Sequence, residues 1–134
     1  MVEKFLKKII AQSPDDLRVI SALCSGAKIK QSEIKFLKEN KIFLISLRRE
    51  NKENIKSKKK INSILKFEYI DISRSKNIDQ NDKENILELL AIEIFKKEQN
   101  YEIVILFSNN GIITLNSEVI EIELDNIEKI DDKN

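Results

Sequence analysis

The side chains best suited to chemistry form a basic run in the middle of the chain. From Arg48 to Lys60 the run contains a single apolar residue, Ile55. Lysine and arginine side chains neutralise phosphates and release their counterions, and the candidate polyanion contacts are Arg48, Arg49, Lys56, Lys58, Lys59 and Lys60. The run has no aromatic residue on which a base could stack. The pattern predicts a solvated loop, with weak, non-specific contact with nucleic acid or another polyanion as the alternative.

The composition argues against the common catalytic centres. The chain has no histidine, which excludes a Ser-His-acid triad and any zinc site with a histidine ligand. One cysteine cannot build a thiolate cluster, and two glycines cannot form a glycine-rich phosphate loop. Glu121 and Glu123 alternate along an expected strand, so we interpret them as facing solvent rather than as a catalytic pair. We therefore expect no enzyme activity, no metal and no cofactor.

Cys24 is the single cysteine and excludes an internal disulfide. It falls on the apolar side of a predicted helix near the C-terminal end, where the helix dipole disfavours a thiolate. We interpret it as a small buried hydrophobe. No apolar run approaches the ~20 residues of a membrane span, and Met1 to Ala11 lacks the features of a signal peptide. These observations favour a soluble protein of bacterial type in the cytoplasm, without membrane insertion.

Charge is distributed unevenly along the chain, although the net charge is +1. Residues 1–67 contain 17 Lys and Arg against 7 Asp and Glu, whereas residues 68–134 contain 7 against 16. Halves of opposite sign attract each other. We therefore expect ion pairs between the two halves of one fold, with steering of a charged partner as the alternative.

The second half of the chain has the clearest strand pattern. Apolar residues alternate or run continuously over segments near 88–97, 101–108, 111–116 and 119–124, which predicts four antiparallel strands. Asn110 and Gly111 interrupt the pattern. Both residue types tolerate a positive φ, so they predict a tight type I′ hairpin turn.

The first half predicts a strand, a short helix and a hairpin. Ser13 and Pro14 followed by two aspartates form a strong helix start, and Ser25-Gly26 ends it, so we place one short helix near residues 14–24. The hairpin strands lie near 33–37 and 41–48, and the second should be central because both of its faces are apolar. A single strand is expected over 61–72 and a polar connection over 73–84.

These elements predict one domain, residues 1–134, of the α+β class. It contains a mobile basic loop at 49–60 and an acidic C-terminal tail at 126–134. We expect about eight mostly antiparallel strands in a strongly bent sheet or partly open barrel of the pleckstrin-homology-like kind. The alternative is a flat sheet with the helix on one face. The expected function is a non-enzymatic binding or interaction module whose partner is another protein. Alternatives are a small-ligand carrier using the barrel interior, or a weak polyanion binder.

The order of segments resembles a bacterial family known as domain of unknown function 2948. The resemblance spans nearly the whole chain and rests on apolar patterns separated by turns. The segments that carry it are 16–23, 34–38, 41–45, 65–70, 89–95, 111–115 and 119–121. The family has no established activity, so the resemblance implies no catalytic residue.

The interpretation of Cys24 can be tested by thiol labelling. A buried thiol reacts only when the protein opens, so we expect slow labelling of the native protein and fast labelling after unfolding. Rapid stoichiometric labelling in native buffer would instead indicate an accessible, reactive cysteine.

Overall fold

The structure is a computed structural model that describes residues 8–51 and 60–127. These residues form one α-helix, α1 (Pro14–Cys24), and ten strands: β1 (Lys8–Ala11), β2 (Lys28–Lys30), β3 (Ile34–Leu37), β4 (Ile42–Glu50), β5 (Lys60–Phe67), β6 (Ile70–Lys76), β7 (Ile86–Lys96), β8 (Tyr101–Phe107), β9 (Ile112–Ser117) and β10 (Ile122–Ile127).

The strands form a single bent sheet that does not close into a barrel. Their order is β1-β10-β5-β4-β2-β7-β8-β9-β6, and β3 pairs with β4 beside this path. All pairings are antiparallel. The predicted α+β class with a bent antiparallel sheet is confirmed. The sheet has ten strands in the described residues rather than eight, and β4 is central, as expected.

The helix begins where the sequence predicted. The Ser13 side chain accepts a hydrogen bond from the Asp16 amide at 3.1 Å, which satisfies one of the unpaired donors of the first turn. Leu17, Ile20 and Cys24 are buried on one side, and the helix packs against β1, β4 and β7. Replacing such an N-cap serine by alanine typically costs about 1 kcal/mol.

A polar side chain of α1 also completes the hydrogen bonding of β7. The pairing of β7 with β8 shifts register between Leu89 and Ala91, and a shift of this kind disrupts the ladder locally. The Ser21 hydroxyl accepts a hydrogen bond from the Ile92 amide at 2.9 Å. The helix therefore contributes both its apolar side and a specific hydrogen bond to the sheet.

The core is formed by the inward-facing residues of both parts of the sheet together with α1. Alternate residues of each strand point to the same face, and the fully buried ones include Ile45, Leu65, Phe67, Ile105, Leu115 and Leu124. Burying one such side chain stabilises the fold by roughly 1.5–3 kcal/mol relative to leaving it in water. The core is therefore continuous across the bend.

The β8–β9 hairpin has the predicted turn type, but its position was predicted one residue too late. Asn109 and Asn110 have φ values of 61° and 64°, whereas Gly111 has φ −72°. Two consecutive positive φ values define a type I′ turn, and the Gly111 amide closes it by donating to the Ser108 carbonyl at 3.3 Å. Asparagine tolerates this conformation better than most residues, so the turn does not need glycine.

The single strand predicted over residues 61–72 is wrong. Tyr69, whose φ is 62°, divides this segment into β5 and β6. The two strands lie in distant positions of the sheet. The apolar alternation continues across the break, which explains the error. The predicted polar connection over 73–84 is also too long, because residues 73–76 belong to β6 and pair with β9.

The described ends of the predicted basic loop at 49–60 and of the predicted tail at 126–134 belong to strands. β4 extends through Glu50 and β5 begins at Lys60, and these ends pair with each other. Asn126 and Ile127 likewise belong to β10. The remaining parts of both predicted segments lie outside the described residues.

The expected attraction between the two halves of the chain is confirmed. Several ion pairs join a lysine of residues 1–67 to an acid of residues 68–134. They are Lys8–Glu123, Lys28–Glu88, Lys30–Glu84, Lys41–Asp71, Lys66–Glu68 and Lys66–Glu123. Exposed pairs contribute little individually.

The revised turn assignment can be tested at Asn109. Asn109→Val places a β-branched residue at a positive φ, and we expect it to destabilise the fold by about 1–2 kcal/mol in chemical denaturation. Asn109→Gly is the matched control and should be neutral or slightly stabilising. A neutral Asn109→Val would contradict the assignment of the turn to Asn109 and Asn110.

Candidate functional site

A groove lies between β3 and β6, and we call it the β3–β6 groove. Its volume is about 280 Å³, close to the ~300 Å³ at which small-molecule pockets begin. The lining residues come from strands β3, β4, β6 and β9, from the turn before β3 and from the connection between β6 and β7. They are Gln31, Ile34, Phe36, Phe43, Ser73, Ser75, Ile78, Gln80, Lys83 and Ile113.

Strand periodicity explains which side chains enter the groove. Ile34 and Phe36 are two residues apart on β3, and Ser73 and Ser75 are two residues apart on β6, so each pair shares one face of its strand. The rings of Phe36 and Phe43 lie 6.1 Å apart between centroids and are tilted by 50°. One side of the groove is therefore apolar and aromatic, and the β6 side carries hydroxyl groups.

The turn between β3 and β4 is tied directly to the start of β6. The Lys41 carbonyl accepts a hydrogen bond from the Ile70 amide at 2.8 Å, and the Lys41 ammonium lies 3.1 Å from Asp71 Oδ1. The hydrogen bond and the charge of Asp71 raise the pKa of Lys41 above its ordinary value, and Glu118 adds a smaller effect. These contacts fix the position of β3 relative to β6, although the two strands do not pair with each other.

The connection between β6 and β7 is tied to the turn before β3. The Gln31 and Ser32 amides donate to the carbonyls of Asn85 and Lys83, at 2.8 Å and 3.0 Å. The Gln31 side-chain Nε2 donates to the Asp79 carbonyl at 2.6 Å. These hydrogen bonds position the three residues of the connection that line the groove: Ile78, Gln80 and Lys83.

Gln31 is the lining residue with a buried polar atom that lacks a hydrogen-bond partner in the described part of the chain. It is only 6% exposed, and its Oε1 has no hydrogen-bond partner among the described residues. The amide orientation is set by the bond from Nε2 to Asp79, because a flipped amide would place two carbonyl oxygens against each other. A buried acceptor without a partner costs roughly 1–3 kcal/mol.

The other polar groups of the groove are mainly donors. The Ser75 hydroxyl accepts a hydrogen bond from Gln80 Nε2 at 2.9 Å, which leaves its own hydrogen available. The Ser73 hydroxyl can rotate to donate or accept. Lys83 is the one charged residue in the groove lining, where the described residues place no carboxylate. The electrostatics of the groove therefore favour an anionic group.

The structure describes three of the six predicted polyanion contacts, namely Arg48, Arg49 and Lys60. Arg49 is completely buried, so its assignment as a polyanion contact is wrong. Its guanidinium donates to Ser63 Oγ at 3.1 Å and to Asn126 Oδ1 at 2.9 Å. Arg48 and Lys60 are exposed on β4 and β5. The other candidates, Lys56, Lys58 and Lys59, lie outside the described residues.

The strand carboxylates considered above have structural partners. Glu123 forms ion pairs with Lys8 and Lys66, at 3.5 Å and 3.7 Å. Glu121 accepts a hydrogen bond from Gln12 Nε2 at 2.9 Å. Residues 8–51 and 60–127 hold no group of three or more potential metal ligands. In the same ranges, no helix is long and apolar enough to cross a membrane.

Sequence reasoning missed the groove because its residues are scattered along the chain. The alternation of Ile34 with Phe36 correctly indicates an inward face. Ser73 and Ser75 are two residues apart, which is typical of residues on one face of a strand, but we predicted a polar connection there. No sequence pattern marks Gln31 as buried, because its burial depends on long-range hydrogen bonds to residues 79 and 85.

Comparison with known proteins places the chain in a family. The model of the family described as Protein of unknown function (DUF2948) matches residues 7–133. The chain belongs to this family. The resemblance seen in the apolar segments is thereby confirmed. No curated protein and no solved structure matches the chain significantly.

The contact between Lys41 and Asp71 gives a pH-dependent prediction. Because the pKa of Lys41 is raised in the folded protein, its contact with Asp71 stabilises the fold at pH values below the ordinary lysine pKa of 10.5. This contribution is lost as the pH rises through the folded-state pKa. We expect Lys41→Met to lower the thermal midpoint at neutral pH, and the difference from the unmodified protein to shrink above pH 10.5. Lys38→Met, an exposed lysine of the same turn, is the control. The same pH dependence in both variants would argue against a specific contribution from Lys41.

Proposed function

We propose that this protein is a non-enzymatic binding module and that its ligand occupies the β3–β6 groove. The observation that carries the proposal is the groove itself, about 280 Å³ in volume, which combines an apolar and aromatic side with hydroxyl, amide and ammonium groups on the other side. Sites for small molecules have this composition, with mostly apolar walls and a few polar groups that orient the ligand.

The dimensions of the groove support a small molecule rather than a protein partner. Its volume of about 280 Å³ is bounded by strands on two sides and by the connection between β6 and β7. A stable protein interface requires about 1,200 Å² or more of buried surface, and a groove of this size supplies only a fraction of it. These dimensions favour a small ligand in the β3–β6 groove, which differs from the barrel interior expected for a ligand carrier because the sheet is open.

The chemistry of the lining supports binding rather than catalysis. General acid–base catalysis needs a positioned group whose protonation state changes during the reaction, and many enzymes pair two such groups. Lys83 is the one ionisable side chain that the described residues place in the lining. Hydroxyl and amide groups, which supply the other polar contacts, are suited to recognising a ligand and fixing its orientation.

The proposal can be tested with a fragment library and a blocked variant. Ser73→Leu places a larger apolar side chain in the groove from the β6 side. Because Ser73 is half-buried at the groove, we expect the variant to fold while losing volume for a ligand. Fragments that raise the thermal midpoint of the unmodified protein should have no effect on Ser73→Leu.

Arg74→Leu is the matched control, because Arg74 is the exposed neighbour on the opposite face of β6. It should respond to the fragments as the unmodified protein does. Fragments that stabilise Ser73→Leu and the unmodified protein equally would place the binding site elsewhere. A library without any stabilising fragment would contradict the proposal.

A further inference from the structure

We infer that the ligand is a free, extended peptide of about three residues that pairs with the open edge of β6 as an additional strand. Its first and third side chains are apolar, and its second is acidic. This inference rests on the proposed function and specifies the class of ligand. Three features carry it: unpaired backbone groups of β6, the apolar side of the groove, and the charge on the outer face of β6.

The pairing of β9 decides which residues of β6 have unpaired backbone groups. The Phe107 amide donates to the Gly111 carbonyl at 2.8 Å, so the odd-numbered residues of β9 bond to β8 in this register. Successive residues of an antiparallel strand bond to opposite neighbours. The even-numbered residues of β9 therefore bond to β6, where their partners are Ile72, Arg74 and Lys76.

Ser73 and Ser75 therefore direct their N–H and C=O groups away from β9, toward the open edge of the sheet. The Ile70 amide lies on this edge and donates to the Lys41 carbonyl at 2.8 Å, which shows that the edge faces the β3–β4 turn. No backbone group of the described residues bonds to those of Ser73 and Ser75. A row of unpaired groups is a template for another chain, and an extended peptide supplies the matching donors and acceptors.

The two serines also line the groove, so a peptide paired with them lies across it. Residues directly opposite each other in an antiparallel pair project to the same face. The peptide residues opposite Ser73 and Ser75 therefore place their side chains in the groove, toward the apolar side that Phe36 and Phe43 form. Burial against these rings favours apolar side chains at both positions.

The middle residue of the peptide lies opposite Arg74, on the outer face of β6. Arg74 and Lys76 are exposed cations on this face, and opposite charges across an antiparallel pair stabilise the pairing. An acidic middle residue is therefore favoured. Glu102 already lies 3.6 Å from Arg74, so we expect the charge to contribute less than the backbone hydrogen bonds.

Contacts within the protein limit the length of the open edge. At one end, the Ile70 amide is bonded to Lys41. At the other end, Gln80 Nε2 donates to the Ser75 hydroxyl at 2.9 Å. The interval from Ser73 to Ser75 accommodates three paired residues, about 10 Å of strand. The ligand is therefore a short free peptide rather than a segment of a longer chain.

Backbone methylation of a peptide tests the pairing directly. The probe is the capped tripeptide acetyl-valyl-aspartyl-valinamide, and its dissociation constant is measured by calorimetry with the unmodified protein. The amides of both valines face β6 in the inferred pairing, so N-methylation of either valine should weaken binding at least about tenfold, equivalent to about 1.4 kcal/mol. The aspartate amide faces away from β6. Its N-methylation is the matched control and should leave the dissociation constant nearly unchanged.

Side-chain variants of the peptide test the other two features. Serine in place of either valine should weaken binding, because it removes apolar surface from the groove. Asparagine in place of the aspartate should weaken binding by a smaller factor, and lysine by a larger one. Adding two residues at each end should not improve binding.

A proline substitution tests the same hydrogen bonds from the side of the protein. Ser75→Pro removes an N–H from the open edge without removing a bond to β9, and proline is tolerated on edge strands. We expect Ser75→Pro to lose peptide binding, and Ser75→Ala, which retains the N–H, to bind more tightly than Ser75→Pro. The thermal midpoint checks the fold of both variants, and the methylated peptides decide the question if Ser75→Pro does not fold.

Several results would overturn the inference. Equal effects of methylation at the valines and at the aspartate would show that the ligand does not pair with β6 in this way. Binding improved about tenfold or more by the longer peptides would identify a segment of a protein as the ligand. If no tripeptide binds at millimolar concentration although library fragments are blocked by Ser73→Leu, the peptide class is wrong and the proposed function survives. If the library also yields no groove-dependent fragment, both fail.

Discussion

The architecture depends on a break in the strand pairing along one edge of β4. Both β2 and β3 pair with this edge, and a turn separates them. Lys28 of β2 pairs with Arg48, and β3 pairs with residues 42–45 farther along the same edge. Between them, residues 31–33 leave the edge as a 3-10 turn. β2 is thereby free to pair with the start of β7 through Lys28–Lys30. One strand of three residues thus joins the two parts of the sheet.

The sheet remains open, because its terminal strands β1 and β6 do not pair with each other in the described residues. Beyond the turn, β3 pairs with β4 alone among the described strands, while β6 pairs with β9 alone at the end of the sheet. The two strands face each other across the groove and are connected through Lys41 with Ile70 and through Gln31 with Asp79. The groove is therefore a direct consequence of the interrupted edge.

Gln31 lies at the first position of the interruption, which explains its unusual state. Its backbone amide donates to Asn85 and its side-chain nitrogen donates to Asp79, so both its donor groups serve to hold the connection between β6 and β7. The side-chain oxygen remains without a partner in the described residues.

Much of the fold could be predicted from local patterns. The helix start at Ser13 and the strands on either side of the β8–β9 turn follow from capping and alternation, which are local in sequence. The break at Tyr69 could not be predicted, because the apolar pattern continues through it and tertiary pairing decides where the chain turns. The burial of Arg49 was missed for the same reason, since its partners Ser63 and Asn126 are distant in sequence.

The site itself was largely invisible in the sequence. Its serines and glutamines are common surface residues, and their convergence depends on β5 and β6 lying far apart in the sheet. Composition also overstated the number of free cations in the basic run, because Arg49 is buried and Lys60 lies 4.0 Å from Glu50.

The most direct test of a ligand site at the interrupted edge is a methyl NMR titration of isoleucine-labelled protein with any fragment that raises its thermal midpoint. Ile34, Ile78 and Ile113 line the groove from three different elements, while Ile20 and Ile45 lie in the core and do not. We expect the first three methyl signals to shift together with one dissociation constant and the other two to remain in place. Shifts confined to other isoleucines would contradict a binding site between β3 and β6.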